Sequence, residues 1–115
     1  MRKSVQVVVL VGVLAGSLLA QTDRAVLMQK TPRYPALLLK MGIGGTVKLS
    51  ALVAADGTVQ KTKIQGGNPM LGEVACAAVN KWKFAPAAQA STEPVEMMFE
   101  AKSATVRIEN AKGSQ

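Results

Sequence analysis

Residues 46–53 constrain the fold more than any other segment, because polar and apolar side chains alternate along them. The apolar positions are Val47, Leu49, Ala51 and Val53. A repeat of two residues is typical of a β-strand with one face buried in a core. The apolar Leu52 interrupts the polar side, which indicates that the second face is partly covered as well.

A hairpin is predicted directly after this strand. Asp56-Gly57 can form a tight turn, because this pair tolerates the positive φ angles that such turns need. The return strand is expected over residues 58–65. Its apolar or β-branched positions are Val59, Thr62 and Ile64. The last two are out of phase with Val59 by one residue in a strand repeat of two. A bulge near Gln60-Lys61 would place all three on one face and is favoured; a regular strand with a polar outer face is the alternative.

Two segments have the features of helices. Pro35 suits the first turn of a short helix that ends before Gly42. Asn68 can cap a second helix, and Pro69 can occupy its first turn. An apolar stripe follows at steps of three and four residues, through Leu71, Val74, Ala75, Ala78 and Trp82. The second helix is therefore predicted to pack on the sheet and to end before Pro86.

Alternation returns in residues 95–102, which predicts a third strand. Residues 105–108 are interpreted either as a short fourth strand or as an extension of the third. The order helix, strand, strand, helix, strand is typical of the α+β class. We therefore predict an α+β fold, a small antiparallel three-stranded sheet with helices packed on one face.

The first twenty residues are predicted to be an export signal. Arg2 and Lys3 provide the positive start, residues 5–19 the apolar run, and Ala20 a small residue for cleavage. The run is shorter than the roughly 20 apolar residues that cross a bilayer. A retained membrane anchor is the second interpretation.

The charge and the residue types argue against several classes of function. Loss of the two basic residues in the leader lowers the formal net charge from +7 to +5. Export, few aromatic residues and the lack of a basic run argue against nucleic acid as a partner. Without histidine, a Ser-His-Asp triad, a Cys-His pair and a histidine-based metal site are excluded. We interpret Glu93, Glu96 and Glu100 as a solvated strand face, and predict no enzymatic activity, no cofactor and no metal.

Cys76 is the single cysteine, so no internal disulfide can form. We interpret it as a half-buried small residue on the second helix. An intermolecular disulfide is the alternative, and a homodimer is left open.

Four motifs occur in a fixed order between residues 32 and 102. They are Tyr34-Pro35, Gly45-Thr46-Val47, Asp56-Gly57 and Trp82-Lys83-Phe84-Ala85-Pro86. In this order and spacing they resemble the C-terminal domain of TonB, the bacterial energy transducer. We therefore expect a tether over residues 21–31, a TonB C-terminal-like domain over residues 32–108 and a flexible tail over residues 109–115.

The resemblance implies a function in TonB-dependent transport. Such domains capture an extended segment of an outer-membrane receptor by strand addition, in which a peptide completes the unpaired backbone groups of a sheet edge. The edge strand that matches here consists of Val95, Glu96, Met97, Met98, Phe99, Glu100, Ala101 and Lys102. Its backbone would supply affinity, and its outward side chains would select the partner. The alternative is that this edge is only the end of a folded sheet, or that residues 105–108 cover it.

The expected location is the periplasm or the exterior, or the inner membrane facing the periplasm if the leader is retained. No proline-rich spacer follows the leader, so coupling to an inner-membrane proton-driven motor complex would need another chain. The alternative function is that of a stand-alone cell-envelope protein that binds peptidoglycan or another anionic polymer.

Overall fold

The computed structural model describes residues 24–110. The predicted leader and residues 111–115 of the predicted tail lie outside the described residues. The strands are β1 (Val26–Met28), β2 (Gly45–Val53), β3 (Val59–Gly66), β4 (Lys83–Phe84), β5 (Ser91–Glu100) and β6 (Thr105–Asn110). The helices are α1 (Ala36–Lys40) and α2 (Pro69–Val79).

The main sheet is antiparallel and has the order β3-β2-β5-β6. The α+β class is confirmed, but the main sheet has four strands instead of three because residues 105–110 fold back along β5. Strands β1 and β4 form a separate two-stranded antiparallel sheet.

The core lies on the face of the sheet that the alternation in β2 predicted to be buried. All four apolar positions of that strand are buried, and so are Met97 and Phe99 of β5. The helices supply Leu38 from α1 and Leu71, Ala75 and Val79 from α2. Trp82 and Phe84, which follow α2, complete the same cluster.

The hairpin between β2 and β3 forms as predicted. Gly57 has a φ of 97°, and the Asp56 carboxylate accepts hydrogen bonds from the backbone N–H and the hydroxyl of Thr58 at 3.0 and 2.7 Å. In the register of β2 with β3, Leu52 lies opposite Lys61 and Val53 lies opposite Val59, so Gln60 is an extra residue. This confirms the bulge. Beyond it, the apolar and β-branched positions of β3 all lie opposite buried residues of β2.

The prediction of a tether is wrong for residues 24–31, because this segment packs on the domain. Arg24 is buried, and its guanidinium donates hydrogen bonds to the carbonyl oxygens of Ala54 at 2.7 Å and Ala85 at 3.2 Å. The indole N–H of Trp82 donates to the carbonyl of Lys30 at 2.8 Å. A sequence window cannot show these contacts, since the acceptors lie 30 to 61 residues away along the chain.

Candidate functional site

The strand predicted to be a free edge is paired on both sides. Strand β5 runs alongside β2 from Ser91 to Phe99, and Val95–Glu100 also pairs with β6. The prediction of a strand is confirmed, but the prediction of an open edge at residues 95–102 is wrong. Its last two residues, Ala101 and Lys102, lie in the turn that returns the chain into β6.

This turn carries a weak sequence signal, a single serine. It consists of Ala101, Lys102, Ser103 and Ala104, without glycine, proline, asparagine or aspartate. The N–H of Ala104 donates to the carbonyl of Ala101 at 3.3 Å, and Ala104 has a φ of 56°. A positive φ is uncommon for a residue with a Cβ atom. Because alanine occupies this position instead of glycine, the turn was not predicted from the sequence.

The sheet has two outer strands, β3 and β6, which differ in regularity. Strand β3 shifts register twice against β2 and carries the exposed side chains of Lys61 and Lys63. Bulges and lysines are features by which proteins block strand addition at an edge. Strand β6 keeps an unbroken register with β5 from Thr105 to Asn110. Strand β6 therefore lacks the register shifts that β3 has.

Strand β6 contributes two apolar side chains to the domain. Val106 and Ile108 lie opposite Phe99 and Met97 and pack against the core cluster, but both remain half-buried. None of the β6 side chains from 105 to 109 is buried. The strand thus covers the end of the core without being enclosed by it.

The other face of this strand pair carries charge. A guanidinium N–H of Arg107 donates to the Glu100 carboxylate at 3.2 Å, and its Nε lies 3.6 Å from Glu109. Glu109 lies directly opposite Glu96 in the β5–β6 register, and the Nζ of Lys48 lies 3.7 Å from Glu96. The outer face of β5 therefore offers acidic groups to whichever strand lies beside it.

Three further sequence interpretations concern side chains outside β6. Trp82 and Phe84 are buried core residues. Glu93 is buried too, and its carboxylate accepts a hydrogen bond from Ser91 at 2.7 Å, so its assignment to a solvated face is wrong. The phase of β5 explains this, because Glu93 points to the opposite face from Glu96. Cys76 is half-buried on α2, as expected.

A groove of about 350 Å³ lies between residues 30–33 and α2. Its rim carries the basic residues Lys30, Arg33 and Lys81, and α2 supplies small or apolar side chains at Val74, Ala77 and Ala78. Sequence reasoning missed this groove because residues 30–33 were placed at the junction of a tether and the domain.

No helix within residues 24–110 is long and apolar enough to cross a membrane. No group of three or more metal-ligating side chains was found there.

Comparison with known proteins identifies the fold. Residues 30–103 match the family described as Gram-negative bacterial TonB protein C-terminal. The chain belongs to this family. The match ends one residue before the last residue of the turn, so β6 lies outside the matched residues.

Two TonB proteins are similar to this chain. Protein tonB2 of Pseudomonas aeruginosa is 40% identical over 58 residues, which is 49% of this chain and 22% of that protein. Protein TonB of Vibrio cholerae is 32% identical over 77 residues, which is 65% of this chain and 32% of that protein. The matched regions thus cover a third or less of these curated relatives.

Proposed function

We propose that this domain acts in TonB-dependent transport by binding an extended segment of an outer-membrane receptor through strand addition. The match of residues 30–103 to the TonB C-terminal family carries this proposal. Strand addition suits a sheet with a regular outer side, because the guest completes backbone hydrogen bonds along the sheet. A binding function of this kind needs no catalytic group, cofactor or metal.

The receptor segment joins the sheet on the side formed by β5 and β6. The alternative side, β3, has two register shifts and two exposed lysines, which oppose pairing with another strand. On the β5–β6 side the register is continuous and the outer face is rich in carboxylates. The backbone supplies affinity there, and the charged face supplies selectivity.

The partners and location follow from this function. The domain meets the receptor in the periplasm, either as an exported protein or held at the inner membrane. Coupling to an inner-membrane proton-driven motor complex passes through another chain. Whether two copies associate is decided by sedimentation of the exported protein, with non-reducing electrophoresis to detect a disulfide through Cys76.

A nuclear magnetic resonance titration tests whether a receptor segment binds and which side of the sheet it joins. The ¹⁵N-labelled exported protein is titrated with synthetic peptides that cover the periplasm-facing N-terminal segments of the TonB-dependent receptors of its host. At least one peptide should shift amide signals of β5 and β6 and leave those of β3 unchanged. If no segment binds, or if the shifts concentrate in β3, the proposal is wrong.

The basic groove favours a second candidate function, binding of an anionic cell-envelope polymer. Three cationic side chains surround its opening, and such attraction weakens as salt screens the charges. Cosedimentation with purified peptidoglycan tests this function. The double variant Lys30→Gln/Lys81→Gln should lose most of the bound fraction at low salt. The variant Lys61→Gln/Lys63→Gln removes the same charge from β3 and should retain binding; equal loss in both variants would exclude the groove.

A further inference from the structure

We infer that residues 27–41 dock the domain on the surface of a phospholipid bilayer that contains anionic lipids. We call these residues the docking segment. It lies outside β5 and β6, so it is separate from the side of the sheet proposed for strand addition. Two features distinguish it, exposed apolar side chains and a positive charge that is not paired within the domain.

Exposed apolar side chains are concentrated in the docking segment. Within residues 24–110, seven large apolar side chains are exposed, and four of them belong to this segment. These four are Leu27 (63% exposed), Met28 (48%), Leu37 (61%) and Met41 (61%). Clustered apolar groups on a protein surface mark a place where a protein or a membrane binds. The docking segment is therefore a candidate contact surface.

Helix α1 places apolar and basic groups on one outward face. Leu38 is buried in the core, whereas Leu37, Lys40 and Met41 are exposed. Residues three and four positions apart lie on the same side of a helix, so these three side chains are neighbours. Such a face suits the surface of a bilayer, because its apolar groups enter the boundary of the acyl chains while the ammonium group stays among the phosphates.

The positive charge of this part of the chain has no acidic counterpart nearby in the sequence. No aspartate or glutamate occurs between residues 24 and 55. Lys30, Arg33 and Lys40 are exposed, and none of the ion pairs within residues 24–110 involves them. Anionic headgroups attract basic side chains that lie close to a bilayer. The charge of the docking segment thus complements a membrane that contains anionic lipids.

The apolar side chains favour a bilayer over a polymer of sugars and peptides. The basic groove beside residues 30–33 attracts both kinds of anion, since this attraction depends on charge. Leu37 and Met41 gain free energy only where they leave water for an apolar layer. A hydrated polymer does not offer such a layer, and a bilayer does.

The position of the docking segment in the chain also favours a bilayer. The apolar run of the predicted leader ends at residue 19, and Arg24 is already buried in the domain. The chain between these two residues spans roughly 18 Å at most. A retained leader would therefore keep the domain close to the membrane, with the docking segment directly after the link.

Cosedimentation with vesicles tests the docking on the exported protein without its leader. One set of vesicles contains phosphatidylethanolamine and phosphatidylglycerol, and the other contains phosphatidylcholine alone. The protein should bind the anionic vesicles about tenfold more strongly, and raised salt should weaken this binding without abolishing it, because the apolar contacts remain. Equal binding to both sets, or no binding to the anionic vesicles, would overturn the inference.

A pair of double variants tests the apolar contacts. Leu37→Ser/Met41→Ser removes two exposed apolar side chains from the docking segment and should lower the partition coefficient about tenfold. Leu52→Ser/Met70→Ser removes the same two residue types at exposed positions elsewhere and should leave binding unchanged. An unchanged partition coefficient in the first variant, or the same loss in both, would show that the docking segment does not enter the bilayer.

A second pair tests the charge. Arg33→Gln/Lys40→Gln removes two basic side chains from the docking segment and should weaken binding about tenfold at low salt. Lys61→Gln/Lys63→Gln removes the same net charge from β3 and should have a much smaller effect. Equal losses would mean that the overall charge attracts the protein to the vesicles, and the inference would be wrong.

A measurement on the unsubstituted protein does not depend on the folding of any variant. A nitroxide-labelled lipid in anionic bicelles should broaden the amide signals of residues 27–41 and spare those of β3. Broadening that is centred on another part of the domain would contradict the inference. Binding to purified peptidoglycan without binding to anionic vesicles would assign the basic surface to the polymer and overturn the inference as well.

Discussion

Residues 24–31 and strand β6 lie at the two ends of the described domain, and they differ in how many buried contacts attach them to it. Residues 24–31 were expected to be loose, yet they are fixed by a buried arginine and by a hydrogen bond from a buried tryptophan. Strand β6 is regular secondary structure, yet it lacks a buried side chain between residues 105 and 109. Regular hydrogen bonding therefore does not show how firmly a segment is attached. Here the segment with the shorter strand contains a buried side chain, and the longer strand β6 contains none between residues 105 and 109.

Among these predictions, replacement of Arg24 should lower the free energy of unfolding the most. Arg24→Met removes a buried guanidinium and its hydrogen bonds to the carbonyl oxygens of Ala54 and Ala85, and we expect a loss of about 3 kcal/mol in the free energy of unfolding. Urea denaturation measures this loss. Arg24→Lys keeps the charge without the planar fork and should lose part of it. A change below about 1 kcal/mol for Arg24→Met would show that the N-terminal segment is not fixed as described.

The second prediction concerns the other contact of this segment. Trp82→Phe removes the 2.8 Å hydrogen bond to the Lys30 carbonyl and part of a buried ring, and should destabilise the domain by about 2 kcal/mol. Tyr34→Phe removes one hydrogen bond to the Ile43 carbonyl and leaves the ring, so it serves as a control of about 1 kcal/mol. Thermal unfolding compares the two variants. If they lose the same stability, Trp82 adds no more than a single hydrogen bond.

On the side of β6 the expected effects are smaller. Ile108→Ala removes a half-buried side chain and should cost about 1 kcal/mol. Leu49→Ala in β2 removes a buried side chain of the same size and should cost about 3 kcal/mol. Urea denaturation of both variants measures the contrast. Equal losses would mean that β6 is integrated into the core.

The smallest effect concerns the β2–β3 turn. Hydrogen bonds from the backbone N–H of Thr58 and then from its hydroxyl hold the pKa of Asp56 below its ordinary value of 3.8. Since the pKa is lower in the folded state, the contribution of Asp56 to stability is present above pH 3.8 and is lost as the pH falls through the folded pKa. A ¹³C titration of the carboxyl group should show this lowered pKa. Thr58→Val removes only the hydroxyl and should return the pKa part of the way; no change would assign the effect to the backbone bond alone.

The sequence predicted the parts of the fold that depend on neighbouring residues. The alternation in β2, the Asp56-Gly57 turn and the bulge at Gln60 are all encoded within a few positions. The second helix followed from its cap at Asn68, whose side chain accepts hydrogen bonds from Met70 and Leu71. These features were found correctly because their physical causes are local.

The position of the candidate site could not be predicted in the same way. Whether β5 forms an edge depends on a turn at Ala104 that has no glycine, and on the pairing of β6 beyond it. The docking of Arg24 depends on carbonyl groups far along the chain. The prediction of a strand at residues 95–100 was therefore right, and the prediction that it was free was wrong.

Amide hydrogen exchange of β3, β5 and β6, with and without a bound receptor segment, tests the proposed binding side most directly. The account predicts that binding changes the protection of amides in β5 and β6 and leaves that of β3 unchanged, because the guest joins the sheet on the β5–β6 side. A change in protection that is confined to β3, or no change in β5 and β6, would contradict the account.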